Sequence, residues 1–124
     1  ELTYMEEIGS GAGYEGRGDL GNTEAGDGRR FKGRGLIQLT GRANYRSYGQ
    51  AIGVDLTVGQ NWETVATDHA RCADAAGWFW KTKGLNQLAD GDDVIQVTER
   101  VNGGLNGLDD RKAKLVRAKF FLGA

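Results

Sequence analysis

Seven carboxylates fall within the first 27 residues: Glu1, Glu6, Glu7, Glu15, Asp19, Glu24 and Asp27. They stand just ahead of the most informative stretch of the chain, residues 31–45. That stretch sets Gly33, Gly35 and Gly41 and a line of hydrogen-bonding side chains, Gln38, Thr40, Asn44 and Tyr45, around a very short apolar core. Hydrolysis of a glycosidic bond takes two carboxyl groups, an acid on the leaving oxygen and a base on the attacking water. In an inverting enzyme they stand about 6.5–9.5 Å apart, which leaves room for that water. Spacing alone does not choose among the seven, and any one of them also reads as a solvated surface acid. The amides and hydroxyls of residues 38–45 suit a ligand made of hydroxyls and amides. A sugar polymer is the obvious candidate.

The elements that must position these groups are short. Residues 36–40 are too few for a helix and rich in β-formers, so one strand is expected, with Gln38 and Thr40 on one face. Gly33 and Gly35 allow a sharp turn or a close backbone approach. Residues 1–8 read as the end of a helix that stops at Gly9, and residues 9–30 as a Gly-rich loop. An ordered loop of that length is uncommon unless it is functional. Thr40 is a candidate cap for a helix over 41–52, with Gly53 past its end. Asp68 caps a helix through Lys83 whose apolar stripe holds Cys72, Ala75, Ala76 and Phe79. Asp92 or Asp93 starts a helix carrying Val94, Val97 and Val101. Asp109 starts the last, with Leu115, Ala118 and Leu122 in register. The fold class expected is mainly α, with a small strand region.

Composition bounds the rest. The chain has 124 residues, enough for one compact domain. A formal net charge of -1 supplies no field to steer a polyanion. One cysteine excludes an internal disulfide and fits synthesis in a reducing cytoplasm. No run is long and apolar enough to span a membrane, and no signal peptide is visible. The chain starts with Glu rather than Met, which reads as a fragment or a processed product.

Residues 33–40, Gly-Arg-Gly-Leu-Ile-Gln-Leu-Thr, resemble the Gly-Arg-Gly-x-Ile-Gln-x-Ser/Thr signature of family 19 glycoside hydrolases, the chitinases and phage-type endolysins. Residues 14–17, 20–23 and 26–30 resemble the loop before that signature in the bacterial and phage branch. Residues 76–80, 84–86 and 101–107 resemble later landmarks in order, so the resemblance covers essentially the whole chain. It implies a single catalytic-type domain over 1–124, a lysozyme-like helical fold with a Gly-rich active-site loop. It implies inverting hydrolysis of β-1,4 bonds in an N-acetylglucosamine-containing polymer. The short Gly-rich loop is similar to the endolysin branch, which puts peptidoglycan first and chitin second, with action at the cell wall or outside the cell.

The resemblance also assigns residues. Leu2 matches a family leucine, which places Glu7 on the general base, and Tyr14 matches a family tyrosine. Thr40 matches the residue that positions the attacking water. Gln38 and Asn44 match sugar-binding residues, and Tyr45 lies beside them. Asn102 matches a groove residue, and Arg111 an arginine near the base. The general acid falls just before residue 1, and Glu1 falls on an unspecified position. Each assignment has a structural counterpart: Thr40 as a cap, Asn44 satisfying backbone at a helix start, Asn102 as a helix end before Gly103, Arg111 as a first-turn cation. A non-catalytic glycan-binding domain with the same groove is the competing reading.

Other signals carry less. Residues 11–16 have Gly-x-Gly-x-x-Gly spacing but lack the flanking strand and helix of a dinucleotide loop. Arg29, Arg30, Lys32 and Arg34 could meet nucleic acid, but Asp27 and Glu24 sit close by, so a local ion-pair network is expected and no nucleic-acid partner. His69 and Cys72 have no further His or Cys to complete a metal site, so no metal and no cofactor is called for. Trp78 and Trp80 leave one helix on different sides. Trp62 is a loop anchor or a stacking platform. The oligomeric state is left open.

Overall fold

The computed structural model describes residues 5–124. It divides into two compact units, Glu1–Phe79 and Trp80–Ala124. The helices are α1 (Asp27–Arg30), α2 (Arg42–Ile52), α3 (Thr64–Thr67), α4 (His69–Thr82), α5 (Leu85–Asp90), α6 (Val94–Asn102) and α7 (Leu108–Leu122). Single 3-10 turns at Ala12–Tyr14, Gly18–Leu20 and Asn61–Glu63 complete the list. The class is mainly α, as expected, in the manner of a lysozyme-like helical domain.

Two sequence expectations fail near the N-terminus. The helix over 1–8 falls partly on residues 1–4, which lie outside the described residues, and residues 5–8 are not helical. Glu6 instead pairs with Arg34 in an antiparallel bridge, and Arg34 pairs on its other side with Leu39. The Glu7 N–H donates to Gly33 O at 2.8 Å and the Gly35 N–H to Met5 O at 2.7 Å. The glycine-flanked segment offers free backbone groups, and pairing with them satisfies donors that a two-turn helix would leave open. The expected strand over 36–40 is a tight turn. Gly35 (φ 82°) and Gln38 (φ 57°) are left-handed, and Arg34 and Leu39 exchange both backbone bonds across it.

The first unit packs around Phe31, Leu39, Tyr45, Tyr48, Leu56, Val65 and Ala75. Trp62 sets an edge against Phe31 at 5.7 Å, and Trp78 packs on Tyr48 at 5.4 Å. Cys72 is buried, with its sulfur 3.4 Å from that of Met5. Asp68 accepts from the Arg71 N–H, the cap expected of it for α4.

Ion pairs and side-chain caps order the Gly-rich loop. Asp27, fully buried, takes Arg42 in a bidentate pair, Nε to Oδ2 and Nη2 to Oδ1, both 2.8 Å. Arg42 also reaches Glu24 at 2.6 Å and lies over the Phe31 ring. Thr40 does not cap α2. Gly41 stands at that position, and the Asn22 carbonyl oxygen accepts the Arg42 N–H at 2.8 Å from across the loop. The Asn22 amide donates to Tyr14 O. Glu15 accepts the Gly26 and Gly28 N–H groups. The backbones of Gly11 and Gly28 approach so closely that a Cβ on Gly11 would lie 2.2 Å from Gly28 O.

In the second unit Asp93 caps α6 by accepting the Gln96 N–H, and Gly103 (φ 72°) ends it. Val94, Val97 and Val101 are half-buried with Thr98 fully buried among them. Trp80 donates to Asn86 at 2.8 Å. Lys119 and Asp92 form an ion pair. α7 begins after Gly107 with no side-chain cap, so Asp109 sits inside its first turn. Leu115 is half-buried, whereas Ala118 and Leu122 are exposed, so the expected stripe is only partly inside. No helix among the described residues is long and apolar enough to cross a membrane.

The Arg42 guanidinium holds the Asp27 carboxyl below the ordinary carboxylate range, with the Glu24 N–H and Arg30 assisting. A depressed native pKa contributes stability above the unfolded value, about 3.9, and that stability is lost as pH falls through the lower native value. Asp27→Asn leaves the buried Arg42 with only the exposed Glu24 as counter-charge, and should cost about 3 kcal/mol in urea unfolding at pH 7. The deficit should shrink as pH is lowered below about 4, because the wild type then loses the same pair.

Candidate active site

Glu7 leaves the bridged segment with its carboxylate between two neutral donors. The Tyr14 hydroxyl donates to Oε1 at 3.1 Å and the Gly33 N–H to Oε2 at 3.0 Å. Glu7 forms no ion pair among the described residues. The other described carboxylates of the N-terminal third are committed. Glu6 takes Lys32 and Arg34, and these hold its carboxyl below the usual range, the Lys32 hydrogen bond most strongly. Asp19 pairs with Arg17 on the surface. Glu24 and Asp27 take Arg42, and Glu15 binds backbone. Glu1 lies outside the described residues. The expected ion-pair network exists, with Glu6 and Arg42 as its largest members.

Gln38 shares the face of Gly33 with Glu7. A Cβ on Gly33 would lie 2.8 Å from Gln38 Oε1 and 3.2 Å from Glu7 Oε2. The left-handed backbone at Gln38 puts its side chain there, and its amide is steadied by donating to Gly35 O at 3.0 Å. The Thr40 hydroxyl donates to Gln38 O at 2.8 Å, which leaves its lone pairs open. Asn44 donates to Thr40 O at 2.9 Å, the backbone-satisfying role its place at the helix start allows, and its carbonyl oxygen has no partner among the described residues. Glu7, Gln38, Thr40 and Asn44 are thus linked in one run through Gly33.

Tyr45 requires a correction. It is fully buried, its hydroxyl donates to Lys32 O at 2.8 Å and accepts from Arg34, and burial pushes its pKa up to about 12. It props the turn from beneath and presents no atom to a ligand. Asn102 and Arg111 belong to the second unit, where both donate to Asn106 O, at 3.1 and 2.6 Å. Asn102 is also the last residue of α6 before Gly103, as its spacing allowed.

Sequence reasoning missed the supports. Tyr14 has two jobs, its hydroxyl on Glu7 and its carbonyl on Asn22. Asn22 stands in a segment singled out only for its resemblance. No local signal marked it, because Thr40 already offered a cap for that helix.

Residues 2–106 match the family model described as chitinase class I. The chain belongs to the family 19 glycoside hydrolases. It is 41% identical over 105 residues to a glycosyl hydrolase family 19 domain-containing protein of Haemophilus influenzae, an alignment covering 85% of this chain and 48% of that protein. It is 36% identical over 111 residues to Chitinase 2 of Oryza sativa, covering 72% of this chain and 32% of that protein. An acidic 27 kDa endochitinase of Solanum lycopersicum is 54% identical over 52 residues, covering 42% of this chain and 20% of that protein. The chain therefore spans less than half the length of these relatives.

Gly33→Ala should push the side-chain ends of Gln38 and Glu7 aside at a cost within about 1 kcal/mol in thermal or urea unfolding, because both are flexible, while shifting the Gln38 side-chain amide resonances. Gly18→Ala is the control. A Cβ there meets nothing within 4 Å, so stability should hold within about 0.5 kcal/mol.

Proposed function

We propose that the chain is the groove-bearing part of a glycosidase that cleaves β-1,4 bonds in an N-acetylglucosamine-containing polymer with inversion. Peptidoglycan is the first substrate and chitin the second. Glu7 is the general base, and Thr40 helps it hold the attacking water. Gln38 and Asn44 bind sugar in the groove, with Asn102 and Arg111 as further substrate contacts. Residues 1–124 act as one catalytic-type domain. No metal or cofactor takes part in this reading.

The observation that carries it is the Glu7 carboxylate. It is oriented by two neutral donors, it has no ion pair among the described residues, and it and the Gln38 amide oxygen both border the space that Gly33 leaves open. A base needs a free lone pair and a fixed direction. The family's names support glycan hydrolysis in general. The short loop favours the peptidoglycan branch. The competing reading is a glycan-binding domain with the same groove.

Residues 1–124 alone should hydrolyse chitotetraose or purified peptidoglycan very slowly, since general acid catalysis is worth about 10²–10⁴-fold. On a polypeptide extended through the family's acid, Glu7→Gln should lower kcat by a similar factor and change saccharide affinity by less than about threefold. Product analysis by NMR should find the α-anomer first. Undiminished turnover by Glu7→Gln sinks the assignment of the base. Saccharide binding with no turnover in the extended wild type establishes the binding-domain reading instead.

A further inference from the structure

Glu6 and Glu7 are neighbours on a bridged segment, so their side chains leave it on opposite sides. Glu7 faces Gly33 and Gln38. Glu6 faces a separate cleft of about 460 Å3 within the first unit. Arg29, Arg30, Lys32 and Arg34 line that cleft against two carboxylates, Glu6 and Glu63.

The four cations are not equivalent. Lys32 and Arg34 share Glu6, at 2.7 and 3.1 Å, and Lys32 also donates to the carbonyls of Glu7 and Gly9. Those two build the wall. Arg30 is looser. Its side chain is 41% exposed, meets Asp27 at 3.5 Å and donates to Ala25 O at 3.0 Å. Arg29 is exposed, with no hydrogen bond or ion pair among the described residues. Trp62 also lines the cleft, half-buried and T-shaped against Phe31.

An indole beside two under-used guanidinium groups matches a sugar ring that carries an acid. The C–H face of the ring packs on the aromatic surface. The planar guanidinium fork takes a carboxylate through two charge-assisted hydrogen bonds. A neutral N-acetylglucosamine unit would bring no charge to meet Arg29, which has no ion pair among the described residues.

We infer that this cleft binds a carboxylate-bearing saccharide, an N-acetylhexosamine with a lactyl or peptide carboxylate, and that it selects an anionic wall glycan over chitin. The inference rests on the proposed glycan reading and adds to it a second binding site, on the opposite side of the segment from Glu7. It uses the basic cluster of residues 29–34, which the proposed groove chemistry leaves without a role.

The test is a set of calorimetric titrations of the 1–124 chain with N-acetylmuramyl dipeptide, chitotetraose, inorganic phosphate and single-stranded DNA. Arg29→Glu should weaken muramyl dipeptide binding about tenfold or more, the scale of one lost charge-assisted hydrogen bond. Arg29→Gln should weaken it less, and 0.5 M salt should weaken the wild type in the same direction. Chitotetraose affinity should stay within about twofold in both variants, and phosphate should bind far more weakly than the muramyl ligand. Equal muramyl affinity in wild type and Arg29→Glu overturns the inference. So does a parallel loss for chitotetraose, phosphate binding as tight as the muramyl ligand, or tighter, Arg29-dependent binding of DNA. If the wild type ignores chitotetraose but keeps Arg29-dependent muramyl binding, the groove reading fails and the cleft stands.

Discussion

Everything about the N-terminal third depends on one buried ion pair, Asp27 with Arg42. Removing two charges from water is expensive, and attraction repays it only with good geometry and further hydrogen bonds. Here the pair is bidentate, Glu24 and Arg30 add to it, and the Phe31 ring lies under the guanidinium. The pair pins the end of the Gly-rich loop to the first turn of α2. From that turn the connection runs on through Asn22, which accepts from the Arg42 backbone and donates to Tyr14, and Tyr14 holds Glu7. A carboxylate near the chain start is thus fixed by a charge pair far along the sequence, through links that are each one hydrogen bond.

The longer helices α2, α4, α6 and α7 were legible because their punctuation is local, whereas the short α1, α3 and α5 were not expected. Gly53, Asp68, Gly84, Asp93 and Gly103 mark ends that any reading of caps and left-handed stops would find, and the Cys72–Ala75 stripe has the right period. The failures came where local propensity competes with tertiary partners. Residues 36–40 have strand composition, yet a glycine at 35 and a left-handed Gln38 fold them into a turn. β-propensity scores a residue's fit to a sheet, and among the described residues no neighbouring strand receives them. The segment at residues 5–8 pairs with residues 33–35 for the converse reason, and nothing in its own sequence announces a partner that distant.

The candidate site was nameable by residue and not by geometry. Glu7, Gln38, Thr40 and Asn44 could be picked from motif order, and Gly33 brings the first two face to face. Tyr45 could not be placed from its side-chain chemistry. A tyrosine serves a groove or a core equally well, and only its contact with Arg34 and Lys32 decides for the core. Carboxylate roles were similarly invisible. Asp27 and Glu7 are both acids in one Gly-rich region, and what separates them is whether an arginine arrives from elsewhere.

The glycines of the loop divide into two kinds, and the division sets how the loop can diversify. Gly11 and Gly28 stand back to back, where a Cβ on either would meet backbone at 2.2 to 2.6 Å. Gly13 and Gly18 face open space. The crossing restricts residues 11 and 28 themselves, because any side chain at either would push the two backbones apart. Positions on the open outer turns carry no such restriction. Descendants of this sequence can therefore redecorate the rim of the loop freely, while the crossing beneath it stays as it is.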